Sequence, residues 1–404
     1  MPQSIVVIGG GIVGTTTAYY LSHLARERQL DDVEITLVEG SGIAAGASGK
    51  AGGLLAVDWH GSATASLARL SYSLHAQLAQ ELNGAERWGY RKLDTLSVSA
   101  DLSHGSHRAR SSKTRRLDDR DSVDLFPWLD EDVLTSSSKL GSQETTSQVH
   151  PELFTKAIWN EATRNGVRTV FATVDGMDRN GDDGTYSLKL TSRDDPSSTS
   201  TLERVDKVVV CAGPWSGKLV AKLGIEGAGR ARRITGSRAH SVVLKPAPGR
   251  ELPAQALFTS IKEKKGGEAE PEIYNRPDGT AYACGATDSS PLPSHASLVS
   301  VDRQAIAVLL EHTALLSPSH LSTRGDGPEQ ATVVKEQACY LPVGSGDPVI
   351  AKVEGKRDQK DKGVWVASGH SCWGICNGPG TGLVMAELVL DGKAKSANIS
   401  SLSA

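Results

Sequence analysis

The stretch "GGGIVG" carries the first chemistry in this chain, as Gly9-x-Gly11-x-x-Gly14 between an apolar run and a helix-like run. At this spacing the first glycine permits a tight turn, the second lets backbone approach a pyrophosphate, and the third lets helix and strand pack closely. Ile12 and Val13 follow at the helix start, where free N–H groups and the positive dipole end face phosphate. Glu39 closes the next apolar run, "DVEITLVEG". A carboxylate there accepts hydrogen bonds from ribose hydroxyls and repels a 2′-phosphate. Later segments supply further small or polar groups. "GASGKAGG" holds Ser48, Gly49, Lys50 and Ala51; Val174 ends the run "RTVFATV"; "VVVCAGPWSGKL" holds Gly213 and Trp215. "GHSCWGICNGPGTG" holds Gly369, His370, Ser371, Trp373, Gly374 and Ile375. The glycine motif alone leaves NAD and FAD open. A ligand met at four distant places in sequence is long, and FAD fits that better than NAD.

These groups need a scaffold. "SIVVIGG" reads as a buried parallel strand and "GIVGTTTAYYLSHLARERQ" as a helix with Ile12, Ala18, Leu21 and Leu24 turned inward. With "DVEITLVEG" they make one right-handed βαβ unit. A long helix is predicted over 63–84, a helix then a strand over 150–174 with Gly166 at the helix end, strands in "TYSLKLTS" and "DKVVVCAG", and a strand-rich region over 238–288. A helix over 301–316, a strand over 363–370 and a last helix over 380–392 complete the pattern. Residues 101–148 read as loops and short pieces. Strands and helices alternate at both ends around a β-rich middle, which predicts a nucleotide-binding α/β domain interrupted by a second domain.

Bulk properties exclude several classes. The chain has 404 residues, 38% hydrophobic and 23% charged, with a net charge of −3. No global pull toward nucleic acid or anionic lipid results. The basic stretch "HRARSSKTRRLDDR" ends in acids, lacks aromatics and reads as a solvated face. No apolar run is long enough to span a bilayer. With the first strand at about residue 4 there is no room for a signal peptide, so an intracellular, cytoplasmic setting is the default expectation. Five cysteines do not make a disulfide framework. Cys372 and Cys376 lack a third and fourth ligand nearby, so no metal site is expected.

Taken together, "VVIGGGIVGTTTAYYL", "ASGKAGGLLA", "VVVCAGPWS", "NRPDGTAYACGATD" and "GHSCWGICNGPGTGLVMAELVLDG" resemble the D-amino-acid-oxidase-like FAD-dependent oxidoreductases. That family includes glycine, sarcosine and fructosyl-amino-acid oxidases. The segments run in the family's order from residue 5 to 392, and "SGKAGG" and "GHSCWGI" are most similar to a fungal group of oxidoreductases. The resemblance implies a Rossmann-like FAD-binding domain of the glutathione-reductase-like type, from 1–83, 141–224 and 340–404. An inserted mixed β-sheet substrate domain takes 84–140 and 225–339. It implies an FAD-dependent oxidase of an amine or amino acid. Hydride leaves the carbon beside nitrogen for flavin N5, an imine forms, and O2 yields H2O2. A flavin dehydrogenase with another acceptor stays open, as does a non-catalytic flavin-binding regulatory protein; a nicotinamide dehydrogenase is the weakest rival.

The resemblance also bears on single residues. It lays His370 against the flavin, as an isoalloxazine or diphosphate contact or as a turn residue. Trp373 packs on flavin or on its own core, and Lys50 balances charge near the flavin, binds phosphate or stays solvated. Apart from the resemblance, Tyr274 and Arg276 precede a hairpin at Asp278-Gly279, and Arg238 and His240 share one strand face, alternating with Ala239 and Ser241. Tyr274, Arg276 and Arg238 are candidates for the substrate side, where an arginine suits a bidentate carboxylate clamp, or for ordinary surface and sheet-packing roles. Cys339, in "ACYLPVGSGDPVI", has two readings. By residue type it is a small buried apolar group. By resemblance it matches the cysteine that bonds the flavin 8α-methyl in the sarcosine and fructosyl-amino-acid branches, chemistry that requires a thiolate.

Overall fold

The computed structural model describes residues 2–102, 127–181, 183–263, 266–325, 329–355 and 361–404. The basic stretch 107–120 lies outside the described residues.

Two large sheets organise the chain. The first has six strands. Its centre is β1 (Gln3–Ile8), flanked in parallel by β2 (Val33–Val38) and by Lys207–Val210. Arg168–Val170 extends the β2 side and Gly363–Ser368 the other, both parallel, and Val349–Glu354 closes that edge antiparallel. Buried on both faces, β1 is an unbroken apolar run rather than an alternating one. The helix α1 (Ile12–Glu27) crosses over from β1 to β2. Its inward stripe includes Ile12, Ala18, Leu21 and Leu24, but Thr15, Thr16, Thr17, Tyr19 and Tyr20 are buried as well. The reason is that α1 also packs against helices Pro151–Arg164 and Gly374–Asp391.

The second sheet is mixed and has eight strands. Its main path runs from Thr332–Val343 through Thr235–Lys245, Ala281–Asp288, Glu272–Asn275, Gln255–Lys262 and Asp94–Asp101 to Leu134–Gly141. Only the pairing of Gln255–Lys262 with Asp94–Asp101 is parallel; the other pairings are antiparallel. Helix Arg303–Leu316 covers one face, burying Ile306 and Leu309 with Val242, Leu257 and Ile273. Its N-cap is Asp302, whose carboxylate accepts from the N–H of Gln304 at 2.8 Å. The small three-stranded meander Ala172–Arg179, Tyr186–Ser192 and Thr199–Val205 packs beside the first sheet. Strand Thr332–Val343 belongs whole to the mixed sheet, so the expected boundary at 339/340 falls inside it.

Two elements differ from expectation. The segment 168–174 does not form one strand: it divides at Phe171, with Arg168–Val170 in the parallel sheet and Ala172–Arg179 in the meander. The last helix begins at Gly374, earlier than the expected 380, and carries Pro379 inside it. Tertiary packing overrides the low helix propensity of its glycines. A Cβ at Gly378 would lie 2.6 Å from Ile12 Cγ1, and one at Gly382 would lie 2.5 Å from the Thr16 carbonyl carbon. These glycines therefore let the last helix touch α1 nearly backbone to backbone, and Thr16 Oγ1 donates to the Gly378 carbonyl at 2.9 Å. Among the described residues no helix is long and apolar enough to cross a membrane.

Replacing Gly382 with alanine should destabilise the protein by about 1–3 kcal/mol through this helix contact. Gly61→Ala, where a Cβ meets nothing within 4 Å, should stay within about 0.5 kcal/mol. Urea midpoints of the two variants measure the difference, and equal midpoints would remove the packing explanation.

Candidate active site

A cleft of about 470 Å3 opens at the carboxyl ends of the parallel strands. That is where open α/β sheets place ligands. Its floor is the β1–α1 turn. Gly9 sits at φ +119°, a conformation that side chains rarely tolerate, and a Cβ there would approach the Cys211 carbonyl oxygen to 2.4 Å. Gly14 is fixed by space: its Cβ would lie 1.8 Å from the Gly9 carbonyl oxygen. The result is a bare backbone cradle leading into a helix N-terminus.

Glu39 ends the strand beside this cradle. Its Oε2 accepts from the N–H of Gly10 at 2.5 Å, and its Oε1 accepts from Ser41 and Gly42 at 2.6 and 3.0 Å. Three backbone donors hold the carboxylate at the cleft wall. Helix α1 has no side-chain cap of its own at Gly11. Instead Ser48, distant in sequence, accepts from the Ile12 N–H at 2.9 Å, and other N–H groups of the first turn lack intrahelical partners. Such a terminus attracts anions. This set suits a dinucleotide: a glycine cradle and dipole for the diphosphate, and a carboxylate for the ribose.

Of the residues expected to bind cofactor, Gly9, Gly11, Ile12, Val13, Glu39, Ser48, Ala51, Val174, Gly213, Trp215, His370, Ser371, Gly374 and Ile375 line the cleft. Gly14, Gly49, Lys50, Cys339, Gly369 and Trp373 do not line it. Gly14 acts behind the turn, as described. Gly49 packs on the Ala44 carbonyl, where a Cβ would come within 2.2 Å. Gly369, at φ +88°, makes the turn that presents His370. His370 is buried, pairs through Nε2 with Thr381 Oγ1 at 2.9 Å, and is pushed by burial down to about 4, so its ring is neutral near pH 7. Trp373 packs against His60, with ring centroids 4.3 Å apart, and edge-to-face on Trp59.

Lys50 reaches away from the cleft, donating to the Ala338 carbonyl at 2.9 Å; burial lowers its ammonium pKa. Cys339 follows Ala338 and shares a sheet face with Leu341, which does line the cleft. Burial pushes the Cys339 thiol up to about 11 against the opposing pull of Lys50.

The substrate-side candidates are placed by strand alternation. Ala239 pairs with Cys339 and Ser241 with Gln337, so this face looks toward Lys50, whose carbonyl accepts from Gln337 Nε2 at 3.2 Å. Arg238 and His240 take the opposite face. There the Arg238 guanidinium holds Asp288 at 2.9 Å and reaches Ser300, while His240 accepts from the Asp302 N–H. Arg276 is buried, donates to the Ala51 carbonyl at 3.1 Å and lies over the Tyr282 ring. Tyr274 donates its hydroxyl to Glu272. The structure brings none of Arg238, Arg276 and Tyr274 into the cleft lining.

Several lining groups had no signal in the sequence. Gly10 matters for its N–H. His295, bonded to Thr173 at 3.3 Å, together with Leu341 and Pro342, arrives from the second sheet's region by long-range folding. Cys372 also lines the cleft, a place its spacing to Cys376 does not signal.

The comparisons with known proteins agree with this geometry. The family model described as "FAD dependent oxidoreductase" matches residues 4–388. The chain therefore belongs to the DAO family of FAD-dependent oxidoreductases, and its cofactor is FAD. It is 36% identical over 409 residues to the Schizosaccharomyces pombe protein named "Putative oxidoreductase C1F5.03c", covering 98% of this chain and 96% of the relative. It is 29% identical to Saccharomyces cerevisiae TDA3, which bears the same description, over 99% of this chain and 94% of that one. Glycine oxidase from Geobacillus kaustophilus has the same fold, with a TM-score of 0.72 at 20% identity, covering 99% of this chain and 97% of that one.

Glu39→Ala should weaken FAD binding by roughly 10- to 150-fold, the scale of a hydrogen bond to a charged group worth about 1.5–3 kcal/mol. Fluorescence titration of apoprotein measures it. An unchanged Kd would remove Glu39 from the cofactor site.

Proposed function

We propose that this enzyme oxidises the C–N bond of a small amine or amino acid, with O2 as the final electron acceptor. The observation that carries the reading is where the cleft meets the mixed sheet. Ala51 lines the cleft, and the 50–52 backbone beside Ala51 meets the sheet face of Tyr274 and Tyr282, with Phe258 on the same face. That arrangement supports a small compartment with apolar walls beside the cofactor's site. Proteins of this fold include those named glycine oxidase, iminodiacetate oxidase and L-proline dehydrogenase. Their named substrates are small nitrogen compounds, and the proposal extends that class to this chain.

The proposed division of labour follows the two sheets except in strand Thr332–Val343, which the boundary at 339/340 cuts. Residues 1–83, 141–224 and 340–404 hold FAD; 84–140 and 225–339 shape the substrate side. Gly9, Gly11 and the α1 N-terminus take the diphosphate, Glu39 takes the ribose, and Gly213, Trp215 and the 369–375 turn surround the rest. FAD supplies two-electron oxidation when bound. The protein's part is to orient, to exclude water and to leave the substrate nitrogen's lone pair available. His370 suits this role, because an imidazole neutral near pH 7 adds no positive charge beside a reacting amine. Lys50, Arg276 and Tyr282 brace the 50–52 backbone that separates the cleft from the mixed sheet.

A thioether at Cys339 is the finer question. Its place beside Lys50 and on the face of Leu341 favours a tether, whereas a thiol protonated near pH 7 disfavours its formation. Acid precipitation decides. Flavin kept in the pellet by wild type and released by Cys339→Ser means a covalent bond. Complete release by wild type means a buried cysteine beside a non-covalent cofactor.

The reaction class has its own test. Anaerobic mixing with a panel of primary and secondary amines and amino acids should bleach the flavin with at least one member, and admitting air should restore colour and give H2O2. Bleaching with no amine would contradict the proposal. Bleaching without rapid reoxidation by air would make the enzyme a dehydrogenase.

A further inference from the structure

The mixed sheet carries a carboxylate on the face that looks toward the cofactor cleft. Glu272 begins strand Glu272–Asn275 and stands directly opposite both Phe258 and Cys284 in antiparallel pairings. These three side chains therefore share one face, with Tyr274 two residues on. Oε2 of Glu272 accepts from the Tyr274 hydroxyl and lies 3.7 Å from Cys284 Sγ. Among the described residues, Oε1 has no hydrogen-bond partner and no lysine or arginine pairs with this carboxylate. The arginines nearest in sequence or fold are committed elsewhere, Arg276 to Ala51 and Tyr282, Arg238 to Asp288.

Phe258 and Tyr274 lie beside Glu272, and further rings extend from Phe258. Phe258 meets Trp59 edge-to-face at 5.2 Å and Tyr274 at 6.0 Å, and Trp59 meets Trp373 at 6.5 Å. Burial raises the Glu272 pKa, and the Tyr274 and Cys284 hydrogen bonds offset it only in part. Glu272 is half-buried, and a carboxylate partly removed from water without a counter-charge is relieved by a bound cation. Ring faces favour a cation as well. The site adjoins the cleft: Trp59 meets Trp373, which follows the cleft-lining Cys372, and the Tyr274 ring lies against Gly52, next to the cleft-lining Ala51.

We infer that Glu272, with Trp59, Phe258 and Tyr274, forms the recognition site for a cationic nitrogen of the substrate other than the amine nitrogen being oxidised, whose lone pair stays free. The inference rests on the amine reading above and narrows it. It points to a substrate recognised through its positive charge at this sheet face, not through a carboxylate clamped by Arg238 or Arg276. Tyr274 is then a positioning residue, fixing the carboxylate through its hydroxyl, while Glu272 and the rings meet the ligand.

The test uses the FAD-loaded protein and needs no turnover. Choline carries a permanent positive charge, and 3,3-dimethylbutan-1-ol is its neutral isostere. Calorimetric titration should show choline binding wild type at least roughly tenfold more tightly than the neutral alcohol. Glu272→Gln should abolish that preference, and Phe258→Ala should reduce it. Tyr274→Phe, which leaves the charge in place, should keep most of the preference. Retained FAD in each variant shows that it has folded. Equal binding of the two probes to wild type, or an undiminished preference in a flavin-loaded Glu272→Gln, would overturn the site. The two proposals separate cleanly. A choline preference without any amine bleaching the flavin leaves the cation site standing and removes the reaction class. Amine bleaching with no choline preference does the reverse.

Discussion

A side chain at position 14 would put its Cβ 1.8 Å from the carbonyl oxygen of Gly9, so the first turn of α1 can sit where it does only with hydrogen there. Much depends on that contact. It sets the height of α1 above the parallel sheet, and so the point at which the helix N-terminus meets the cleft. Ser48 can then cap the Ile12 N–H, and Glu39 can be held by the backbone of the adjoining turns. The same close approach repeats on the helix's other side, where Gly378 and Gly382 bring the last helix against Ile12 and Thr16. Backbone packing without side chains thus fixes the cofactor cradle from two directions, and the 369–375 turn is delivered to the cleft by the helix that this packing anchors.

The second sheet meets the first through a short braced segment. The backbone of 50–52 receives the Tyr282 hydroxyl and the Arg276 guanidinium, while Lys50 reaches back to Ala338. Tyr274 leaves no room for a side chain at Gly52, where a Cβ would lie 2.6 Å from its ring. Residues on either side of this segment therefore belong to different tasks. Ala51 and Ser48 line the dinucleotide cleft, and the tyrosines behind them shape the face that holds Glu272.

The parallel sheet and its cradle were legible because local rules and tertiary needs coincide there. An apolar run, a glycine spacing and a terminal acid leave little choice at Gly9, Gly14 and Glu39. The sequence pattern makes the last helix too short because glycine and proline are poor helix formers alone, and only the contact with α1 offsets this. Nothing in the pattern of 168–174 marks the switch between sheets at Phe171, so the sequence implies one continuous strand there. On the mixed sheet the alternation of Arg238, Ala239, His240 and Ser241 was visible, but not which face looks at the cleft. That choice is made by cross-strand register, so Arg238 turned to Asp288 while the face opposite Cys339 met Lys50. Glu272 carries no sequence signal for the same reason: Phe258 and Cys284 reach it only through cross-strand register.

The central claim is that the cradle at the β1–α1 turn, with Glu39 beside it, is built for a dinucleotide. Equilibrium titration of the apoprotein with FAD and with FMN tests it most directly. FAD brings the adenosine ribose and the diphosphate that Glu39 and the α1 terminus are placed to meet, and FMN does not. The account predicts FAD binding tighter than FMN by roughly a hundredfold or more, the scale of two or more charge-assisted hydrogen bonds. Equal affinity for FAD and FMN would contradict it.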